Sequence, residues 1–386
     1  MIEYERKLII ILIEDDFTHI HTLNKGTILI KDVQIGDLVY TQNLDWQPII
    51  NITKHKYKNK IYSLYLQHKL PINITEDQEI LIIPASVKNT YYNYPISDFY
   101  KKYIQVDYIN LSKFARDFEL QWIPANKVQN KDCIVTPINY NNQDINNLDY
   151  LDINHYKIKI NIDFLLFLGY IYIFAEIDNN VCHFYIHKAF SRIKNWLSKY
   201  VNSTFNTHLT ISKKMMFYNL YTNNNQFVQM IQFLLNTGIP PIIKTLLPKQ
   251  QLYIFKSIFS LQRNDNSLTF NTINLTLLYD LLEILHRNYI NPEIDIKDDQ
   301  YQILIKRKYY NDFSKFIFQN DNNDKLYTTN ITNFTSLQFP TLYNNINYMN
   351  YPLNICNIYT PKKSVNAVSV QLKNNIPLKI NTLLIK

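Results

Sequence analysis

Cysteine, glycine and long unbroken apolar stretches are what this sequence has least of. The three cysteines, Cys133, Cys182 and Cys356, are too few and too scattered for a disulfide framework or a zinc site, so a reducing, intracellular location is the expectation. The apolar run Leu8–Ile13, followed by Glu14, Asp15 and Asp16, is shorter than a signal-peptide core and lacks a small-residue cleavage site, which argues against secretion. An almost unbroken apolar stretch at Asn161–Glu176 is too short and too interrupted to span a membrane. Only four glycines occur, and alanine is rare, whereas Asn, Ile, Lys and 31 tyrosines abound. That bias marks an AT-rich coding sequence, so part of the lysine content is mutational in origin.

What remains is a globular composition, 46% hydrophobic and 19% charged, over 386 residues, enough for two or three cores. The net charge of +8 is compatible with a polyanionic partner without requiring one. The Asn161–Glu176 stretch reads as a buried helix with Asp163 as its N-cap. Gly169 inside it costs about 1 kcal/mol against alanine, which predicts that another helix comes close at that point. Lys249–Asp265 has the same apolar character, and two such helices packed together would account for both.

Around this pair, Thr18–Pro84 reads as short strands and tight turns, an all-β unit. Residues 85–120, with Tyr91, Tyr92 and Tyr94 in a loop, carry no assignment, and Trp122–Pro137 returns to strand character. Residues 139–155, rich in Asn and Asp, read as a linker. Val181–His187 alternates as a strand, Lys188–Val201 is an amphipathic helix, and Leu209–Tyr221 is a hairpin. Phe227–Thr237 is a helix closed by Gly238, Thr276–Asn288 is another, and Gln302–Lys308 is a strand. This order begins, breaks and begins again, which predicts an internal duplication. Asp321–Tyr359 reads as loop or irregular β. Ala367–Leu372 and Leu378–Lys386 read as strands like those at the N-terminus, so the two ends are expected to share one domain.

Six segments then carry a family resemblance: Thr18–Thr22, Ile30–Val39, Trp122–Pro137, Asp163–Glu176, Ile239–Phe259 and Val368–Ile385. In order and spacing they resemble an intein-like (Hint) protein with an inserted LAGLIDADG, or dodecapeptide-type, homing endonuclease. The resemblance implies an α+β fold. A Hint-like β-domain would occupy residues 1–140 and close within 321–386, and an endonuclease-like domain of two pseudo-repeats would occupy 141–320.

Against that family the chemistry is degenerate. Splicing needs a Cys or Ser nucleophile where this chain has Glu14, Asp15, Asp16 and Phe17. The family's Thr-x-x-His motif here ends in Gln78, which cannot transfer protons near neutral pH. A terminal His-Asn pair is absent from Leu384-Ile-Lys386, so splicing is not expected. Each signature helix in the family ends in an acid that holds Mg²⁺, but those positions read Phe174 and Gln262 here, with Arg263 after the latter. Glu176 and Asp265 are the remaining carboxylate candidates. No metal or other cofactor is expected, Mg²⁺ entering only if nuclease activity survives.

Lys213, Lys214, Lys306, Arg307 and Lys308 fall where the family's strands form a saddle on DNA, which implies phosphate contact. His19, His21, His183 and His187 have no ligand-spaced partner and read as ordinary histidines. The expected function is a catalytically inactive derivative re-used as a nucleic-acid-binding protein, with double-stranded DNA as partner. One alternative is a structural or scaffolding subunit of a larger assembly such as a viral particle, with protein partners. Another is a residual Mg-dependent endonuclease. Neither a membrane nor a small-molecule substrate is expected.

Overall fold

The structure, a computed structural model, describes residues 10–15, 18–42, 45–66, 69–84, 120–130, 132–137, 150–259, 262, 267–288, 290, 292–297, 299–306, 341–343, 346–372, 377–380 and 383–385. Tyr91, Tyr92, Tyr94, Arg263, Asp265, Arg307 and Lys308 lie outside them. The fold is α+β, in two compact units. One unit gathers Met1–Tyr140, Asn271–Asp312 and Thr328–Lys386; the other holds Asn141–Phe270 and Phe313–Tyr327. The segment Asn271–Asp312, placed by the sequence reading in the inserted domain, thus clusters with the terminal strands.

In the first unit the chain lays down β1 (Ile10–Ile13), β2 (His19–Thr22), β3 (Gly26–Leu29), β4 (Leu38–Tyr40), β5 (Trp46–Tyr57), β6 (Ile61–Leu66), β7 (Ile72–Thr75), β8 (Glu79–Ile83), β9 (Gln121–Pro124) and β10 (Cys133–Pro137). The second unit holds β11 (Tyr150–Ile153), β12 (Tyr156–Lys159), α1 (Ile162–Phe174), β13 (Ala175–Asp178), β14 (Val181–His187), α2 (Ser191–Phe205), β15 (Thr210–Lys213), β16 (Phe217–Thr222), α3 (Asn225–Thr237), α4 (Pro241–Lys244) and α5 (Pro248–Phe259). The chain continues through β17 (Ser267–Thr272), α6 (Leu275–Arg287), β18 (Glu293–Lys297) and β19 (Gln300–Lys306). It closes with β20 (Thr341–Tyr343), β21 (Ile346–Tyr359), β22 (Val365–Leu372), β23 (Leu378–Ile380) and β24 (Leu383–Ile385).

The tail strands are built into the opening sheet. β22 lies between β1 and β5, β23 pairs with β2, and β24 with β8. Ile10, Leu12, Ile20 and Val39 accordingly share a core with Val368, Val370, Leu372 and Leu378. The run that is too short for a signal peptide supplies β1, held between β22 and β7. β10 pairs with both β21 and β8, closing the ladder on itself and removing a free edge. Two segments differ from expectation. Residues 346–359 form one long strand, because β6 and β10 supply partners that override the poor strand propensity of its asparagines. The end of the expected linker supplies β11 and the turn of a hairpin with β12, with Asn154 in that turn at φ 52°.

In the second unit α1 begins at Asn161, whose side chain accepts from the Phe164 amide at 2.9 Å. Asp163 is already inside the first turn and is not the cap. Helices α1 and α5 pack on each other, and Gly169 is the point of closest approach: a Cβ there would lie 2.0 Å from Ser257 Oγ and 2.4 Å from the Ile254 carbonyl oxygen. Within the described residues helix α5 ends at Phe259. The four strands run in the order β13-β14-β16-β15. Alternation along β14 buries Cys182, Phe184 and Ile186 and leaves His183, Tyr185 and His187 half-exposed on the opposite face. Among the described residues the run after α1 reads β-β-α-β-β-α, whereas the run after α5 is shorter, β-α-β-β.

Candidate nucleic-acid interface

The half-exposed face of the four-stranded sheet is where the predicted residues can be placed. Register puts Glu176 opposite His183, His183 opposite Tyr221, Tyr185 opposite Asn219, and His187 opposite Phe217. His183 stacks nearly parallel on Tyr185 at 5.8 Å and lies 6.0 Å from Tyr221, and its Nδ1 sits 3.3 Å from Asn219 Oδ1. His187 meets Phe217 edge-on at 5.5 Å. The face is therefore a trail of rings, and the histidines take part in it as packing groups.

Lys213 and Lys214 sit where β15 ends and its turn into β16 begins, both exposed. The ammonium of Lys214 lies 5.5 Å from the Tyr185 ring centroid, which places it on the ring face. Lys213 pairs with Tyr218, one residue out of phase, so the two lysines leave the edge strand on opposite sides. Lys306 ends β19, in the unit that contains the terminal strands, and not in the sheet that carries Lys213 and Lys214. The turn between the lysines and β16 is apolar: Met215 is 92% exposed and Met216 57%.

At the helix ends, Phe174 is the buried last residue of α1, stacked on Tyr170 at 5.9 Å. Glu176 is not on a helix; it is an exposed residue of β13. Gln262 is committed to the backbone, accepting from the Thr269 amide at 2.7 Å and donating to the Thr269 carbonyl. Among the described residues no group of three or more His, Cys, Asp or Glu gathers as a metal site, and no helix is long and apolar enough to cross a membrane. Burial pushes the Cys182 thiol up to about 12, which leaves it unreactive.

In the unit that holds the terminal strands, Gln78 is buried in the turn after β7, its carbonyl accepting from the Ala125 amide at 3.0 Å. Asp15 accepts from Thr18 N and Oγ1, at 2.7 and 2.8 Å, and from Asn73 Nδ2 at 2.9 Å. That unit also contains a cluster the sequence reading missed. On helix α6, buried from Leu277 to Arg287, Asp280 accepts from Thr27 Oγ1 at 2.6 Å, and Glu283 lies 2.7 Å from Lys379 Nζ and 3.6 Å from His21 Nε2. Burial by itself raises the Glu283 carboxyl, but Lys379, His21 and Arg287 outweigh it and hold the group well below the usual carboxylate range. His286 is driven well below its ordinary value by burial, with Lys69 and Lys379 adding to the effect. Burial likewise lowers Lys69 to about 7, against the opposing pull of Glu293. The sequence signal was the spacing of Asp280, Glu283 and Arg287 along one stripe, which reads as a solvated face until the strands that cover it are in place.

No family model and no curated protein matches the chain. Among solved structures, mesophilic variants of the homing endonuclease I-DmoI align with a TM-score of 0.33 and 18% identity, over 42% of this chain and 97% of that one. I-DmoI in complex with DNA and Mn aligns at 0.31 and 15%, over 41% and 96%. The gp41-1 intein aligns at 0.15 and 29%, over 17% of this chain and 50% of the intein. The chain thus bears a weak structural resemblance to a homing endonuclease and to an intein.

Proposed function

We propose that the protein is a nucleic-acid-binding derivative of an intein-like, homing-endonuclease-containing ancestor that has lost both splicing and cleavage. The observation that carries the reading is the half-exposed sheet face of the second unit, where planar rings lie side by side and Lys214 reaches over Tyr185. Rings and cations on one surface are the pairing that nucleic acids recognise, phosphates by charge and bases by stacking. Loss of chemistry is supported by what occupies the expected catalytic positions. Phe174 is packed, Gln262 is spent on the Thr269 backbone, and neither it nor Gln78 is a proton carrier or a metal-binding acid.

The test is a salt-resolved titration against random duplex DNA, with and without Mg²⁺, scored for binding and cleavage together. Binding should weaken steeply with salt, and alanine at Lys214 should reduce the slope of log K against log salt by about 1, one phosphate contact, while alanine at Lys213, on the other side of the edge strand, should change it less. Adding alanine at Lys306 and Arg307 tests whether β19 belongs to the same surface. Negligible binding at about 50 mM salt, to the duplex and to its separated strands alike, would leave the scaffolding role, with protein partners, as the better account. Cleavage that needs Mg²⁺ and disappears in Glu176→Gln would establish the endonuclease instead.

A further inference from the structure

We infer that the β15–β16 turn and the ring trail behind it form a binding site for unpaired nucleotides. The inference rests on the nucleic-acid reading above and names the form of nucleic acid. Charge is segregated along the sheet. Glu176 and Asp178 are exposed on β13 at one end of β14, opposite His183 and Val181. At the other end, about 20 Å away at strand rise, Lys213, Lys214 and Lys188 are exposed around the turn, and the Lys188 amide donates to the Met216 carbonyl at 3.0 Å. A duplex lying along the sheet would carry phosphates over the carboxylate end and meet repulsion there. A strand anchored by its phosphates at the lysine end would not.

Between those lysines the chain exposes Met215 and Met216, and then Phe217 at 44%. An apolar tip flanked by cations is suited to entering a base step, where the flanking phosphates are neutralised as the wedge unstacks the bases. Behind the tip, His187, Tyr185, His183 and Tyr221 continue the path as half-exposed rings, Tyr185 packed against His183 and under the Lys214 ammonium. Paired bases offer only their edges to a protein, because their faces are hidden in the stack. A row of half-exposed rings therefore fits bases that are already unpaired or that the tip has opened. Lys214, over Tyr185, joins the phosphate anchor to the row of rings.

The experiment compares three probes of one sequence: a single strand, its perfect duplex, and that duplex with an unpaired bulge. Each is followed by fluorescence anisotropy and by a stacking-sensitive fluorescent base at the unpaired position. The single strand and the bulged duplex should bind at least about tenfold tighter than the perfect duplex, a factor equivalent to one stacked base. The fluorescent base should be quenched. Met215→Ser with Met216→Ser should remove most of the bulge preference while leaving the salt slope unchanged, and Tyr185→Leu should remove the quench. Both methionines are exposed, so the double variant should keep the thermal melt of the parent chain. Equal affinity for duplex and bulge overturns this inference and leaves nucleic-acid binding standing. No binding to any probe overturns both. Methionine-dependent binding to anionic lipid vesicles, without binding to the single strand, shows that the tip reads a membrane surface and overturns it as well.

Discussion

Gly169 is the residue at which sequence and packing meet most directly. In a solvated helix alanine would be the better choice by about 1 kcal/mol, yet here the missing side chain is what lets α1 and α5 touch. A Cβ 2.4 Å from the Ile254 carbonyl meets backbone, which cannot rotate away as a serine hydroxyl can. Gly169→Ala should therefore destabilise the 141–270 unit by about 2 kcal/mol or more after the propensity gain, as overpacking does. Adding Ser257→Gly should restore only part of this, because the carbonyl contact remains. Chemical denaturation followed through Trp196, the tryptophan of that unit, reads the loss; an unchanged midpoint would mean that the helices have room to part.

At the scale of elements, α6 is the one whose placement its own sequence disguised. Its leucines at helical spacing are legible, and Asn274 caps it by accepting from the Leu277 amide at 3.1 Å. Its charged residues are buried as well, with Asp280 0%, Glu283 8% and Arg287 1% exposed. They are tolerable there because β2, β3 and β23 bring His21, Thr27 and Lys379 against them. Glu283→Met leaves Lys379 buried without its carboxylate and should cost about 3–5 kcal/mol. The double variant with Lys379→Met removes both charges and should recover much of that loss. A double-mutant cycle by urea denaturation measures the coupling; additive losses would mean that the pair contributes nothing to docking the helix.

For the whole molecule the same cluster sets how stability responds to pH. Glu283 has a folded value below its unfolded 4.5, so its contribution is complete above that pH and is lost as acid protonates the carboxylate. His286 has a folded value below its unfolded 6.5, so below 6.5 the unfolded chain takes a proton that the fold refuses, and stability again falls with acid. Lys69 extends the sign upward, since the unfolded chain stays protonated to 10.5 while the folded group releases its proton near 7. The unit with the terminal strands should thus lose stability as pH falls from 10.5 to about 7 through Lys69, and again from 6.5 downward through His286 and then Glu283, at up to about 1.4 kcal/mol per pH unit for each proton taken up. Variants retaining only Trp46 and Trp122, or only Trp196, separate that unit from the other. Acid sensitivity confined to Trp196 would contradict the assignment.

Periodicity and end signals alone determined the local elements of this protein: the strand Val181–His187, the hairpin around Lys213, the helix stopping at Gly238, and the close approach at Gly169. These are properties of a few neighbouring residues, set by alternation, capping and the space a side chain occupies. Pairing was decided only by tertiary structure. Residues 346–359 become a strand because β6 and β10 flank them, and Glu176 becomes a strand residue because β14 takes it up. The charges of α6 become core groups because strands distant in sequence bring Lys379 and His21 to them. A hydrogen-bond ladder or a buried ion pair draws its energy from partners far along the chain, and no local pattern in either segment carries that information.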